Sequence, residues 1–533
     1  MRKSLIKYVI CALLIFSFSI FFVHKNILQE MEKIDLEEAL MNLDIGEFTA
    51  QESFVKINKS KYRVKKGVIA VSETYEEGSE KILIPYVKFL STSASQYDPI
   101  FYLGGGPGQS NMTYTPNPKY FENRDYVLIG FRGVDGNIKL DSQEISKAIK
   151  GVNNNLFSNE SFENLIIATR VFQNRLDSEQ IDLNNYTILN VIKDLETARI
   201  IFGYTKINLR SSSYGTRVAL LYKQIHPEVI HRSLMESFNP PGGFIWNPEI
   251  IENQLQQFSI KIYGDDNPLK LHSMINMSLQ SIPNRWGFTK LDIGKIKIMT
   301  FVGLFDHQMA KGIIDAYEKA DRGDYSGLAL LSISYDFMIP KMFAWGDLAS
   351  KAMSVDYDET IDYFAHFDHG SYALGSPFSK LLMIMTTGLD INRIDLSEYV
   401  DRKVDIQTLI ISGEIDVSTP KENVIQYLDT FTNATHIIIN NSGHMNKYRG
   451  QQENITQLFI SFYNNGEIDE NLVSEIDRES SLPLIFNFSL LAKLLYLIGF
   501  TTILVILVVI SYIVIKLQFF HLLSKFFISI LNI

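Results

Sequence analysis

Arg210-Ser211-Ser212-Ser213-Tyr214-Gly215-Thr216 is a run of small residues between two regular segments. Before it, Lys206-Ile207-Asn208-Leu209 reads as a short strand. After it, Arg217-Val218-Ala219-Leu220-Leu221-Tyr222-Lys223 reads as a helix. A strand-to-helix corner made of small residues can hold one side chain in a strained conformation and push it outward. Gly215 lies two places after Ser213, and Ser211 stands two places before it, where glycine is usual, so the pattern is S-x-S-x-G. Ser211 and Ser212 are rival nucleophiles, but neither has a glycine two residues later and both fall within the strand end. The plain alternative is a turn without chemistry.

A second segment points the same way. Asp98-Pro99-Ile100-Phe101-Tyr102-Leu103 reads as a buried strand and runs into Gly104-Gly105-Gly106-Pro107-Gly108. Glycines at a strand end let backbone N–H groups approach a ligand closely. A phosphate loop is excluded, because no Gly-Lys-Ser/Thr follows and Pro107 removes a donor. A dinucleotide fingerprint fails at position 109, which is Gln. An oxyanion-binding loop fits, with N–H donors from Tyr214 and from Gly106, with Gly105 beside it.

Two further strand ends complete the set. Gln407-Thr408-Leu409-Ile410-Ile411-Ser412 opens into a loop carrying Asp416, and His436-Ile437-Ile438-Ile439-Asn440 opens into a loop carrying His444. The order serine, aspartate, histidine is that of one hydrolase lineage and not of the chymotrypsin or subtilisin lineages. Ligand sites of open α/β sheets lie at such strand ends. Asp416 alone reads as a turn residue and His444 alone as a loop histidine; it is their joint placement that argues chemistry. Glu414 is a rival acid nearer its strand.

The ensemble resembles the α/β-hydrolase family that includes proline iminopeptidases and tripeptidyl aminopeptidases. The resemblance covers roughly residues 60 to 465. It rests on Gly105-Gly106-Pro107-Gly108, on Tyr126 to Phe131 ending in Arg132-Gly133, and on Tyr186-Thr187 with Asp194 to Arg199. It rests also on Ser213-Tyr214-Gly215-Thr216-Arg217, on Gly413 with Asp416 and Thr419-Pro420, and on Gly443-His444. Three positions depart from the family pattern: Gly104 replaces a histidine, Ser211 replaces glycine, and Gly130-Phe131 replaces a polar pair. The resemblance implies an α/β fold with a doubly wound, mostly parallel sheet and a helical cap over the site. It also implies release of residues from peptide N-termini.

The chemistry assigns roles. Ser213 is the candidate nucleophile, His444 the general base and acid, and Asp416 the group that holds the imidazole. No cofactor or metal is expected. His366-Phe367-Asp368-His369 offers two histidines without an obvious third ligand and reads as a polar loop. An aminopeptidase needs carboxylates near the cleft to hold an ammonium, and Glu236, Asp315 and Glu318 are candidates. The expected partners are a peptide or small acyl substrate and membrane lipid. An esterase acting on small acyl or lipid-like substrates is the enzyme alternative, and a catalytically dead binding module the alternative of another class.

The chain has 533 residues, a formal net charge of −10 and no long basic run, which argues against nucleic-acid binding. Its one cysteine, Cys11, permits no internal disulfide and no cysteine nucleophile in the core. Arg2, Lys3 and Lys7 precede an uncharged stretch from Tyr8 to Val23, so residues 1–26 read as a signal anchor with a cytoplasmic N-terminus, with a cleaved secretory signal as the alternative. Residues 27–60 read as a helical connector, 61–241 and 398–463 as the two parts of the core, and 242–397 as the cap. The cap stretch carries Trp286, Phe301, Phe305, Tyr317, Phe337, Phe343 and Trp345, which read mainly as cap core, with about one in five facing the cleft. Residues 464–493 read as an acidic, solvated stalk and 494–515 as a transmembrane helix. In 516–533, Gln518, His521, Ser524, Lys525, Ser529 and Asn532 share one face of an interfacial amphipathic helix, with a re-entrant crossing as the alternative. This places the core on the extracytoplasmic side of a membrane.

Overall fold

The structure is a computed structural model and describes residues 36–94, 97–367, 370–445, 452–476 and 487–531. The expected N-terminal anchor, Cys11, His369 and Asn532 lie outside the described residues. In chain order the strands are β1 Gln51–Ile57, β2 Ser60–Ser72, β3 Lys81–Phe89, β4 Ile100–Leu103, β5 Tyr126–Ile129, β6 Ile207–Ser212 and β7 Ile230–Glu236. They continue with β8 Arg285–Trp286, β9 Thr289–Lys290, β10 Gln407–Gly413 and β11 Ala434–Ile439. Nine form one sheet in the order β1-β2-β3-β5-β4-β6-β7-β10-β11, while β8 and β9 form a separate hairpin. Pairing is antiparallel from β1 through β3 to β5, and parallel from β5 onward.

The parallel strands read as unbroken apolar runs because both faces are covered. On one face, Phe101, Leu103 and Val127 meet Ile192, Leu195, Val218 and Leu221 from helices Ile188–Ile201 and Tyr214–Ile225. On the other, Ile100, Leu128, Leu234 and Leu409 meet Phe459 and Phe462 from helix Gln452–Asn465. Every residue of β4, β5 and β6 is buried. Between β7 and β10 the chain is helical apart from the β8–β9 hairpin. A fully buried ion pair joins this insertion to the core: Arg217 donates to both carboxylate oxygens of Asp356 at 2.9 Å. Asp356 also accepts the N–H groups of Gly242 and Phe244, at 2.7 and 2.8 Å.

Three expectations about the flanking segments are corrected. Helix Leu36–Asn42 forms, but residues 51–57 of the supposed helical connector are a strand. Val55 and Ile57 alternate inward, and Asn58, with φ 55°, turns the chain into β2. In the expected stalk, helix Glu470–Ile476 packs Leu472, Val473 and Ile476 against the sheet-side core. At the C-terminus one helix, Phe488–Leu531, runs through the expected break at 515. No glycine or proline interrupts residues 501–531, so nothing in the backbone stops it. Residues Phe488–Phe526 are long and apolar enough to cross a membrane, with a mean hydropathy of 2.8 over an 18-residue window within them.

Lys223, on helix Tyr214–Ile225, is buried over the Phe431 ring with its ammonium 4.0 Å from the ring centre, and it donates to the Thr408 hydroxyl at 3.2 Å. Burial pushes its pKa down from 10.5 to about 7. The unfolded chain therefore binds one more proton between about pH 7 and 10.5, and stability rises with pH across that window. Below it, the full penalty of a buried charge applies. Lys223→Met is expected to raise the free energy of unfolding at pH 6 by an amount on the order of a few kcal/mol, read in urea titrations as a higher midpoint. The gap from wild type should close as pH approaches 10; a gap constant with pH would refute the assignment.

Candidate active site

The corner after β6 is sharp. Ser213 has φ 51° and ψ −126°, and helix Tyr214–Ile225 starts at the next residue. That conformation is rare for a residue with a side chain and requires support from its surroundings. Gly215 gives that support by its smallness: a Cβ there would lie 2.0 Å from the Leu103 carbonyl oxygen. Ser211 is accommodated because its hydroxyl donates to the Leu234 carbonyl at 3.0 Å. Gly130 likewise leaves no room for a larger residue, since a Cβ would lie 2.6 Å from Asp135 and 2.8 Å from Pro85.

The structure brings Ser213, His444 and Asp416 together. His444 Nε2 is 2.9 Å from Ser213 Oγ, and His444 Nδ1 is 3.0 Å from Asp416 Oδ2. Asp416 is fully buried and its other oxygen accepts the N–H groups of Ser418 and Thr419, at 2.9 and 2.8 Å. Thr419, not assigned a role from the sequence, donates its hydroxyl to Asp416 Oδ2 at 2.8 Å and lies 3.1 Å from His444 Nδ1. Glu414 is placed elsewhere: it pairs with Lys261 at 2.7 Å and accepts the Asn441 N–H at 2.9 Å. Ser212 faces Tyr102, hydroxyl to hydroxyl at 3.2 Å, so neither rival serine meets the imidazole.

The glycine loop lies over the corner. A Cβ on Gly105 would be 2.7 Å from the Ser213 Cβ and 3.3 Å from its Oγ, and Gly106 has φ 66°. The loop is braced at both ends. Gly104 N–H donates to Asn111 Oδ1 at 2.7 Å, and Gly108 N–H to Asp347 Oδ2 at 2.7 Å. Asn111 in turn donates to the carbonyls of Tyr102 and Ile129, at 2.9 and 2.7 Å. Among the described residues nothing accepts from the N–H of Gly105 or Gly106. Tyr214 opens its helix, so its N–H has no acceptor within it. Unpaired donors beside a hydroxyl that an imidazole can deprotonate suit a reaction that develops an oxyanion.

The helical insertion roofs the site. A cavity of about 610 Å³ opens above Ser213 and His444, and Phe244, Trp246, Val302, Phe305, Phe343 and Phe378 line it. Of the aromatics named from the sequence, Phe305 and Phe343 reach it. Phe301, Tyr317 and Trp345 are buried in the helical core, Trp286 packs on Tyr496, and Phe337 is exposed. The Phe305 carbonyl accepts the His444 N–H at 2.6 Å, so the insertion also holds the histidine loop.

No carboxylate among the described residues lines this cavity. Asp315 pairs with Lys319 at 2.6 Å, and Glu318 accepts from the Tyr263 hydroxyl at 2.7 Å. Glu236 lies in an adjoining cavity of about 510 Å³, which shares Tyr102, Tyr114, Thr115 and Met445 with the first. Its Oε2 accepts from Arg210 Nη2 at 3.2 Å, while its Oε1 has no partner among the described residues.

Residues 98–450 match the family described as alpha/beta hydrolase fold. The chain belongs to that family. In the α/β-hydrolase frame, the Arg132-Gly133 motif is structural. Arg132, fully buried, donates to both oxygens of Asp194, at 2.6 and 2.7 Å, and ties β5 to helix Ile188–Ile201. Among solved structures the chain is similar to MGS-M2, an alpha/beta hydrolase enzyme from a Medee basin deep-sea metagenome library. That likeness has 15% identity over 74% of this chain and 98% of the other, with a TM-score of 0.36. It is also similar to the esterase EaEST from Exiguobacterium antarcticum, at 13% identity over 72% and 96% of the two chains, with a TM-score of 0.33. A third likeness is to the meta-cleavage product hydrolase CumD from Pseudomonas fluorescens IP01, at 10% identity over 72% and 96%, with a TM-score of 0.33. No curated protein matches the chain.

The corner geometry predicts very unequal costs for changing its two small residues. Gly215→Ala forces a Cβ against the Leu103 carbonyl and should lower the urea midpoint strongly, or prevent folding. Ser211→Gly removes one buried hydrogen bond and should cost about 1 kcal/mol, with β6 intact. Equal effects would contradict the packing described.

Proposed function

We propose that this protein is a membrane-tethered serine hydrolase that transfers an acyl group to Ser213 and then to water. The observation that carries the reading is the unbroken run of hydrogen-bond distances from Ser213 Oγ through His444 to Asp416. As Oγ adds to the substrate carbonyl, His444 Nε2 takes its proton. The carbonyl oxygen becomes an oxyanion held by the N–H of Tyr214 and a loop N–H of Gly106 or Gly105, each such donor being worth about 3 kcal/mol in the transition state. Collapse of the adduct expels the leaving group, which takes the proton from His444. Water then repeats the sequence on the acyl-enzyme. Asp416, oriented by Thr419, stabilises the imidazolium that forms at each stage.

The cleft favours an apolar, uncharged acyl group, because aromatic side chains line it and no carboxylate does. That supports a carboxylic ester as substrate. Cleavage near peptide N-termini is the second reading, favoured by the unpartnered Glu236 oxygen in the adjoining cavity, which could hold an ammonium. The C-terminal apolar helix supports the tether, and Arg2, Lys3 and Lys7 support a core on the extracytoplasmic side.

A fluorophosphonate is expected to label the wild type and to leave Ser213→Ala unlabelled. An unlabelled wild type would favour a dead binding module. Thr419→Val should slow labelling by about tenfold, with Thr419→Ser restoring it, since one hydrogen bond orienting the base is lost.

A substrate panel separates the two enzymatic readings. Apolar acyl esters should be cleaved faster than aminoacyl amides. Preference for amides bearing a free α-amine, abolished in Glu236→Gln, would establish the peptidase reading instead.

A further inference from the structure

The β8–β9 hairpin is locked onto the C-terminal helix by one residue, Tyr496. The Phe288 N–H donates to the Tyr496 hydroxyl at 2.9 Å, the Phe288 ring stacks on the Tyr496 ring at 5.8 Å, and Trp286 meets that ring edge-on at 5.1 Å. Gly287, with φ 57°, lets the turn approach: a Cβ there would lie 2.5 Å from the Tyr496 hydroxyl. Phe288 nonetheless remains 79% exposed, which is unusual for a ring so firmly held.

Two cavities meet at this hairpin, sharing Phe288 and Ile333. The first, about 300 Å³, is an apolar groove running along the C-terminal helix past Trp286, Leu330, Leu495, Phe500 and Ile503. The second, about 390 Å³, is polar and lined by Arg285, Lys290, Lys295 and Asp336. Lys295 and Asp336 balance each other at 2.7 Å. Arg285 and Lys290 do not. They stand directly opposite across the hairpin, both are exposed, and no carboxylate among the described residues pairs with either. Like charges facing each other on a two-stranded ribbon repel, so the arrangement calls for an anion between or beside them. A cationic pocket opening into an apolar groove has the charge and polarity pattern of a lipid headgroup above its acyl chain.

We propose that this site binds an anionic phospholipid, with the phosphodiester at Arg285 and Lys290 and one acyl chain along the groove beside Trp286 and Phe500. The proposal rests on the reading that the helix Phe488–Leu531 sits in a bilayer; it is independent of the hydrolase reading. It gives the cap, and not only the helix, a contact with the membrane.

The test uses the full chain in phosphatidylcholine bilayers that contain a minority of phosphatidylglycerol with brominated acyl chains. Bromine quenches tryptophan on contact. Of the three tryptophans, Trp246 and Trp345 are buried, so the groove residue Trp286 reports. Strong quenching by the brominated anionic lipid, and little by brominated phosphatidylcholine at equal content, is expected. The double variant Arg285→Gln, Lys290→Gln should weaken that preference by about tenfold or more, and Trp286→Phe should abolish the quenching. Equal quenching by both lipids, or an unchanged preference in the double variant, would overturn the proposal. Inorganic phosphate displacing the lipid at comparable concentration would also overturn it, by showing a free-anion site. Carbonate extraction of the same membranes checks the premise. Release of the chain would remove the bilayer reading and the proposal with it, whereas retention with equal quenching would sink the lipid site alone.

Discussion

The contact between Gly215 and the Leu103 carbonyl sets the rest of the site. A residue at positive φ is strained and persists only where its surroundings hold it, and here the helix start presses against the neighbouring strand end. Here the neighbouring end is β4, whose last residue is Leu103 and whose continuation is the glycine loop. One close approach therefore fixes two things: the outward direction of the Ser213 hydroxyl and the height of Gly105 above it. The departure at Ser211 is harmless for the same reason. It lies on the strand side of the corner, where a carbonyl of β7 accepts its hydroxyl.

The helical insertion is part of this machinery, not merely a lid. It accepts the His444 N–H through the Phe305 carbonyl, and it holds Gly108 through Asp347. It is joined to the core helix after Ser213 through the Arg217–Asp356 pair. That pair lies wholly out of water, so its attraction offsets a large desolvation cost, and removing either partner would strand a buried charge. Asp347 and Lys351 form a second buried pair under the loop, with the Lys351 ammonium also donating to the Arg132 carbonyl at 2.6 Å. Burial pushes the Asp347 carboxyl up and the Lys351 ammonium down, and each partner opposes the shift of the other. Because desolvation offsets their attraction, such pairs add little net stability to the fold.

What could be read from the chain follows the range of the forces involved. Strand runs, the small-residue corner, the glycine loop and the order of Ser213, Asp416 and His444 are local patterns, and each fell where its pattern placed it. The missed parts depend on partners far away in the chain. Asn111 looks like any loop asparagine until its side chain is seen between β4 and β5. Thr419 sits in a motif, but its role depends on an imidazole 25 residues on. β1 was hidden because its alternation is short and its pairing with β2 decides it. The acidic segment around Glu470 is polar by composition, yet three apolar residues suffice to dock its helix. Neither which aromatics line the roof nor the placement of Glu236 in the adjoining cavity has a signature in the sequence.

The C-terminal apolar helix and the imidazole are joined by only two layers of packing. The helix Phe488–Leu531 packs on Ser326–Met338, which packs on Ile293–Gly303; that helix carries Val302 to the cleft and leads into Phe305. Lys295 and Asp336 pin the last two helices together. Contiguity of this kind does not by itself transmit a signal, because coupling needs an element with two arrangements. The distances around His444 already permit both of its hydrogen bonds, so no rearrangement is required to assemble them. The physical consequence of this packing is therefore positional. The hairpin held against helix Phe488–Leu531 by Tyr496 fixes the orientation of the roof relative to that helix, and so relative to any bilayer the helix enters.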